Sequence, residues 1–182
     1  TTIIRDRGIT LNGERADIVM PSLVIDMEKV FESYLRTVLR THLSNYSGQM
    51  AVLDGTTSGP GGARKLLFDE APSSDAEPDI VIQDTTSGDA EKSIPIVMDA
   101  KYKPIRRLPD RADINQVIAY AASYRSPTVI IAHPSMPGTF HGFRRFGQIG
   151  KLQLHQYGFN LGAENLEEEE QAFAAAIGEL LR

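Results

Sequence analysis

The 182-residue sequence contains no cysteine and no tryptophan, and it has no apolar run long enough to span a membrane. Without cysteine the chain forms no disulfide and places no thiolate in catalysis or metal binding, which fits a reducing cytoplasm. The remaining composition, 41% hydrophobic and 24% charged, is typical of a globular protein with a sizeable core. We therefore expect one cytoplasmic domain over residues 1–182, without membrane contact.

Positive charge is in the minority, and it is unevenly distributed along the chain. The formal net charge of -5 argues, taken alone, against a nucleic-acid partner. The acids concentrate near the C-terminal end, whereas a basic cluster occupies the middle of the chain at Lys101, Lys103, Arg106, Arg107 and Arg111. A local basic cluster can bind phosphate within an acidic total, so we interpret Lys103, Arg106 and Arg107 as candidate DNA contacts. The alternative is a solvated surface.

Periodicity predicts an α/β chain. Apolar residues at helical spacing predict a helix over residues 26–45, with Met27, Val30 and Phe31 on its apolar face and Asp26 as its cap. Further patterns predict a β-hairpin at 78–103, helices at 110–124 and 166–181, and strands at 128–134 and 151–161. Two runs, MAVL at 50–53 and KLLF at 65–68, compete for one additional strand. Asn12-Gly13 weakly predicts a turn between two N-terminal strands.

The predicted hairpin brings charged residues together at one of its ends. Its turn is centred near residue 88 or 89, which places Asp79 opposite Asp99 to within one residue. Side chains alternate along a strand, so Asp99 and Lys101 point to the same face. The sequence therefore predicts two carboxylates and one ammonium at a single hairpin end.

Two adjacent carboxylates raise each other's pKa unless a cation lies between them. Mg²⁺ prefers oxygen ligands and is often held by one or two carboxylates together with substrate phosphates. Such an ion, Mg²⁺ or Mn²⁺, would polarise a phosphodiester, and Lys101 would orient water or neutralise phosphoryl charge. The plainer interpretation is a strand-end ion pair of Asp99 with Lys101 and a turn residue at Asp79.

These residues resemble a known family. PDIVI followed by VMDAKYK is similar to the PD-(D/E)xK nuclease superfamily, with Asp79 as first acid, Asp99 as second acid and Lys101 as the lysine. The resemblance implies a restriction-endonuclease-like αβββαβ core with a mixed central sheet flanked by helices. It also implies DNA hydrolysis with Mg²⁺ or Mn²⁺ held by Asp79, Asp99 and Ala100.

The same resemblance implies further site residues on two helices. Many members carry a glutamate on the preceding helix, and here MEKVFESYL offers Glu32, favoured over Glu28, as a metal ligand. An ion pair of Glu32 with Arg36 is the local alternative. Some members have Q-x-x-x-Y on the helix after the lysine strand. Gln116 and Tyr120 match that element, which implies that Gln116 belongs to the catalytic group and that Tyr120 faces DNA.

Within the superfamily, IDMEKVFESYL, PDIVI, DAKYK and DINQVIAYA are most similar to the McrC nucleases of methylcytosine-dependent restriction systems. This resemblance implies double-stranded DNA as substrate and an AAA+ GTPase motor as partner. No P-loop pattern occurs in these residues, so we expect the motor to be another chain. It also implies that the 182 residues are the C-terminal nuclease part of a longer chain. The alternatives are a standalone repair or mobile-element nuclease and a non-catalytic adaptor.

Overall fold

The computed structural model describes residues 4–11, 18–46, 49–70, 74–86 and 93–182. Three α-helices occur in this part of the chain: α1 at Met27–His42, α2 at Arg111–Tyr124 and α3 at Leu166–Glu179. A short 3-10 helix, Leu43–Asn45, follows α1. The strands are β1 at Ile4–Leu11, β2 at Ile18–Val24, β3 at Met50–Leu53, β4 at Lys65–Leu66, β5 at Asp75–Ala76, β6 at Ile80–Asp84, β7 at Ile96–Ala100, β8 at Thr128–Pro134, β9 at Gly142–Ile149 and β10 at Leu152–Phe159.

A six-stranded mixed sheet forms the centre of the fold, in the order β3-β6-β7-β8-β10-β9. Strands β3, β6 and β7 are antiparallel, β7, β8 and β10 are parallel, and β9 pairs antiparallel with β10. Helix α1, three sheet strands, helix α2 and strand β8 follow one another along the chain. The order is the predicted αβββαβ core.

Helices cover both faces of the sheet, and side chains alternate between the two sides of each inner strand. Ile80, Ile82 and Met98 pack in the core that contains α1 and α3, whereas Val81 and Val97 pack in the core that contains α2. Asp99 lies two residues after Val97, so both side chains leave the same face of β7. The strand therefore directs its last odd-numbered positions toward the α2 side.

The first helix begins and ends close to the predicted positions, and Asp26 caps it by accepting a hydrogen bond from the Lys29 amide at 3.3 Å. Two residues depart from the predicted apolar face. Met27 and Val30 are 43% and 39% exposed, because the first turns of α1 border a cleft instead of the core.

The competition for the additional strand is resolved in favour of MAVL, which forms β3 and pairs with β6. Only the first two residues of KLLF are extended, in a separate two-stranded sheet with β5. Strands β1 and β2 pair antiparallel, but the predicted Asn12-Gly13 turn lies outside the described residues, as do positions 87–92 of the second hairpin. Strand β9 was not predicted. None of the described helices is long and apolar enough to cross a membrane.

Candidate functional site

The two predicted acids meet where β6 begins and β7 ends. Strand pairing runs from Ile82 opposite Ile96 to Ile80 opposite Met98, and one further step places Asp79 opposite Asp99. The Asp79 carboxylate is bound to the neighbouring strand, because the amide of Ala100, the residue after Asp99, donates to Asp79 Oδ2 at 2.6 Å. Asp79 is 7% exposed and Asp99 is 2% exposed. Both carboxylates are therefore buried at this end of the sheet.

The side chain of Lys101 lies on the same face of the sheet as that of Asp99, and it connects Asp99 to helix α2. Its Nζ lies 2.8 Å from Asp99 Oδ2 and donates to Gln116 Oε1 at 3.0 Å. The Gln116 amide in turn donates to the Tyr120 hydroxyl at 2.7 Å. Burial lowers the pKa of Lys101, but the neighbouring carboxylates, Asp99 first, outweigh it and raise that pKa overall. The lysine is therefore a fixed ammonium at neutral pH.

Burial and mutual repulsion disfavour ionisation of the acids. Burial raises the pKa of Asp79 well above its ordinary range, and the charges of Asp99 and Glu32 raise it further. Burial also raises the pKa of Asp99, against the opposing effect of Lys101. The pKa of Glu32 is also raised, first by burial and then by the charge of Glu28. A cation placed among these groups would offset the penalty.

A cleft of about 1130 Å³ opens between the N-terminal half of α1 and the sheet end. Most of the predicted site residues line it, and they come from α1, the two strand ends and α2: Glu28, Glu32, Asp79, Asp99, Ala100, Lys101, Gln116 and Tyr120. The sequence placed these residues on separate elements, and the fold gathers them around one space.

The basic residues occupy a different position. Lys103 is held between Asp110 and Asp113, with its Nζ 2.8 Å from a carboxylate oxygen of each. Arg106 and Arg107 are exposed and, with Lys103, line a smaller cleft of about 650 Å³. Of the four predicted DNA contacts, Tyr120 alone lines the larger cleft.

The donor set of the larger cleft suits a hard cation. Within the described residues, no three Asp, Glu or His side chains group closely enough to enclose an ion by themselves. Mg²⁺ does not require this, because it is commonly held by one or two carboxylates with water and substrate oxygens. Asp79 and Asp99 supply two buried carboxylates, and Ala100 can add its main-chain carbonyl oxygen. These residues fit Mg²⁺ or Mn²⁺.

Arg36 forms its ion pair with Asp54 and not with Glu32, the partner that helical spacing offered. Arg36 Nη1 lies 2.9 Å from Asp54 Oδ2, and it also donates to the Asp79 carbonyl at 2.7 Å. Neither contact follows from the sequence, because helical spacing pairs Arg36 with Glu32 and Asp54 lies in a glycine-rich loop. Glu32 thus remains available to the cleft.

His133, His141 and His155 are not among the residues that line this cleft. His133 is buried, with Nδ1 3.0 Å from the Pro134 carbonyl, and His141 pairs with Glu169 at 2.8 Å. His155 is buried against Phe143, and neither of its ring nitrogens has a hydrogen-bond partner among the described residues. Their contacts are those of structural side chains.

Comparison with known proteins adds the family. The family model described as "McrBC 5-methylcytosine restriction system component" matches residues 7–131, more than two thirds of the chain. The chain belongs to this family. The matched part contains Glu32, Asp79, Asp99 and Lys101. No curated protein matches the chain significantly.

A solved structure extends the likeness beyond the matched segment. It is the refined half-complex from a tetradecameric assembly of Thermococcus gammatolerans McrB AAA+ hexamers with bound McrC. The similarity has a TM-score of 0.59 at 18% sequence identity, and it covers 88% of this chain and 34% of that chain. At this identity the likeness shows a shared fold. This McrBC family member therefore spans about a third of the length of the chain that it resembles.

Proposed function

We propose that this chain is a Mg²⁺- or Mn²⁺-dependent DNA endonuclease, the nuclease subunit of a cytoplasmic methylcytosine-dependent restriction complex driven by a partner AAA+ GTPase. The observation that carries the proposal is the pair of buried carboxylates, Asp79 and Asp99, with the half-buried Lys101 ammonium at the end of one cleft, in a chain of the McrBC family. A structural ion pair has no need of the second buried acid.

Asp79 and Asp99 would hold the metal, with the Ala100 carbonyl as a third ligand and Glu32 as the carboxylate of the facing helix. When bound, the metal supplies a Lewis acid that polarises the phosphodiester and lowers the pKa of water. The chain's own contribution is a rigid arrangement. Asp79 is fixed by the Ala100 amide, and Lys101 is fixed between Asp99 and Gln116.

The role of Lys101 follows from its charge and its two partners. An ammonium that is already held in place can stabilise the negative charge that develops on a phosphoryl group without further reorganisation. Gln116 keeps the ammonium at the cleft, and Tyr120 supports Gln116 from the next turn of α2. We therefore assign Gln116 and Tyr120 to positioning, with Tyr120 also available to DNA.

Charge indicates how DNA would approach. Among the described residues, six acidic side chains and three basic ones, Lys29, Arg36 and Lys101, line the larger cleft. Such a lining repels phosphate until cations are bound. Arg106 and Arg107, exposed on the segment after β7, would contact the DNA backbone beside the cleft, whereas Lys103 is already occupied by two carboxylates. Affinity for DNA should accordingly fall with salt.

A reconstituted cleavage assay tests the proposal. The full-length protein, its AAA+ partner, GTP and Mg²⁺ should cleave DNA that contains methylcytosine, and Asp99→Ala and Lys101→Ala should each abolish cleavage. Asp110→Ala, which removes an exposed acid outside the larger cleft, is the control and should retain activity. Cleavage without the partner would indicate a standalone nuclease. No cleavage with the partner present, or full cleavage by Asp99→Ala, would contradict the proposal.

A further inference from the structure

Arg36 forms a contact that joins three parts of the candidate site. From the middle of α1, its guanidinium reaches the Asp54 carboxylate at 2.9 Å and donates to the main-chain carbonyl of Asp79 at 2.7 Å. The side chains of Arg36 and Asp54 are 13% and 17% exposed. An ion pair that is this protected from water keeps its geometry better than an exposed pair.

The Asp79 carbonyl lies where regular pairing has stopped. The ladder between β3 and β6 ends at Leu53 opposite Val81, two residues beyond Asp79 along the chain. Past that point Gly55 packs directly against Pro78, because a Cβ at Gly55 would lie 2.0 Å from the Pro78 carbonyl oxygen. The main chain that enters β6 is thus held by close packing and by Arg36.

Asp79 is consequently fixed from two sides. Its carbonyl accepts from Arg36 on α1, and its carboxylate accepts from the Ala100 amide on β7. Glu32 lies one helical turn before Arg36, so both side chains leave the same face of α1. The helix face that carries Glu32 is therefore bound, through Arg36, to the main chain of Asp79.

We propose that Arg36, together with Asp54, is a positioning pair that sets Asp79 and Glu32 for binding of a divalent cation. The inference rests on the proposed function, since it concerns the same site. Loss of the pair frees the main chain before β6 and allows α1 to shift, while both carboxylates remain present. We expect metal affinity to fall about tenfold or more, the usual consequence of losing a partner that orients a ligand.

The test is a calorimetric titration of the full-length protein with Mn²⁺ in the absence of DNA. Arg36→Ala should weaken Mn²⁺ binding about tenfold. Arg40→Ala is the matched control, because Arg40 lies one turn further along α1 and its Nε donates to the Val52 carbonyl at 3.0 Å, away from the cleft. Both variants lose a bond between α1 and the strand β3 region, but the control should keep wild-type Mn²⁺ affinity.

Two further variants keep the inference testable if Arg36→Ala fails to fold. Arg36→Lys keeps the charge but lacks the length and the planar fork of the guanidinium, so it should give an intermediate affinity. Asp54→Asn should weaken binding in the same direction. Cleavage should recover at high Mn²⁺ in Arg36→Lys, since the ligands themselves are intact. Wild-type affinity in Arg36→Lys and Asp54→Asn, or equal losses in Arg36→Ala and Arg40→Ala, would overturn the inference. Failure of the wild type to bind Mn²⁺ would instead overturn the proposed function.

Discussion

Replacing Asp79 by asparagine should stabilise the metal-free protein while destroying its response to metal. The amide oxygen can still accept the Ala100 hydrogen bond, but one of two opposed, buried carboxylates is gone. The Cβ atoms of opposed residues on neighbouring strands lie about 4.5–5.5 Å apart. At an effective dielectric constant of about 20, two carboxylates at that distance repel by about 3 kcal/mol at a pH at which both are ionised.

Two losses reduce this gain. The hydrogen bond from Ala100 no longer ends on a charge, and the attraction between Asp79 and Lys101 disappears. Together these cost about 1–2 kcal/mol. The net expectation is a stabilisation of about 1–2 kcal/mol, equivalent to a melting temperature about 2–8 °C higher for a chain of this size.

The pH dependence has a definite sign. Because burial and neighbouring charges raise the pKa of Asp79 in the folded state, the folded protein retains a proton that the unfolded chain loses near pH 4. This contribution to stability is present at low pH and is lost as the pH rises through the folded-state pKa. The advantage of Asp79→Asn should therefore grow from about pH 4 toward neutrality.

Thermal unfolding with and without Mg²⁺ provides the assay. Ligand at 100 times its dissociation constant stabilises a binding protein by about 2.7 kcal/mol, so Mg²⁺ should raise the wild-type melting temperature and leave Asp79→Asn unchanged. Asp84→Asn, at the other end of β6, is the control. Hydrogen bonds from the Thr86 amide and hydroxyl lower the pKa of Asp84, so its loss should not stabilise the protein. Equal Mg²⁺ responses in wild type and Asp79→Asn would refute the site.

Three further predictions test neighbouring features. Gln116→Ala removes an acceptor of Lys101, and we expect kcat to fall about tenfold to a hundredfold with KM for DNA unchanged in steady-state cleavage; a change in KM alone would contradict the positioning role. Burial lowers the pKa of His155, so the wild type loses stability as the pH falls below about 6.5. His155→Leu should therefore lose less stability between pH 8 and pH 5 than the wild type, as measured by urea unfolding. Parallel pH profiles of the two proteins would count against this. Gly55→Ala should cost about 2–4 kcal/mol of unfolding free energy, since its Cβ would lie 2.0 Å from the Pro78 oxygen, and an unchanged melting temperature would show that the loop relaxes.

The hairpin and its opposed acids were within reach of the sequence because they depend on local rules. The period of two fixes which residues share a face, and the length of the turn fixes the register. Asp79, Asp99 and Lys101 belong to that one unit, so their proximity could be predicted without knowledge of the rest of the fold. The contact of Lys101 with Gln116 needed the next helix, which the sequence pattern predicted, whereas the place of Gln116 in the site was implied by the family resemblance.

Features that depend on distant contacts could not be predicted. Strand β9 contains two glycines and adjacent arginines, and its alternation is hidden because it is an edge strand whose register shifts opposite β10. Arg36 has Glu32 as its neighbour in the helix, yet it binds Asp54, 18 positions away across a turn of chain. Met27 and Val30 fit the helical period, but their exposure was decided by the cleft. Local periodicity contains none of this information.

The central claim is that the buried carboxylates of the larger cleft support metal-dependent hydrolysis of DNA. The most direct measurement is the cleavage rate of methylcytosine-containing DNA by full-length wild-type and Asp99→Ala proteins, each with the AAA+ partner, GTP and Mg²⁺. The account predicts cleavage by the wild type that requires Mg²⁺, and none by Asp99→Ala. Cleavage by Asp99→Ala at the wild-type rate, or wild-type cleavage that persists in excess EDTA, would contradict it.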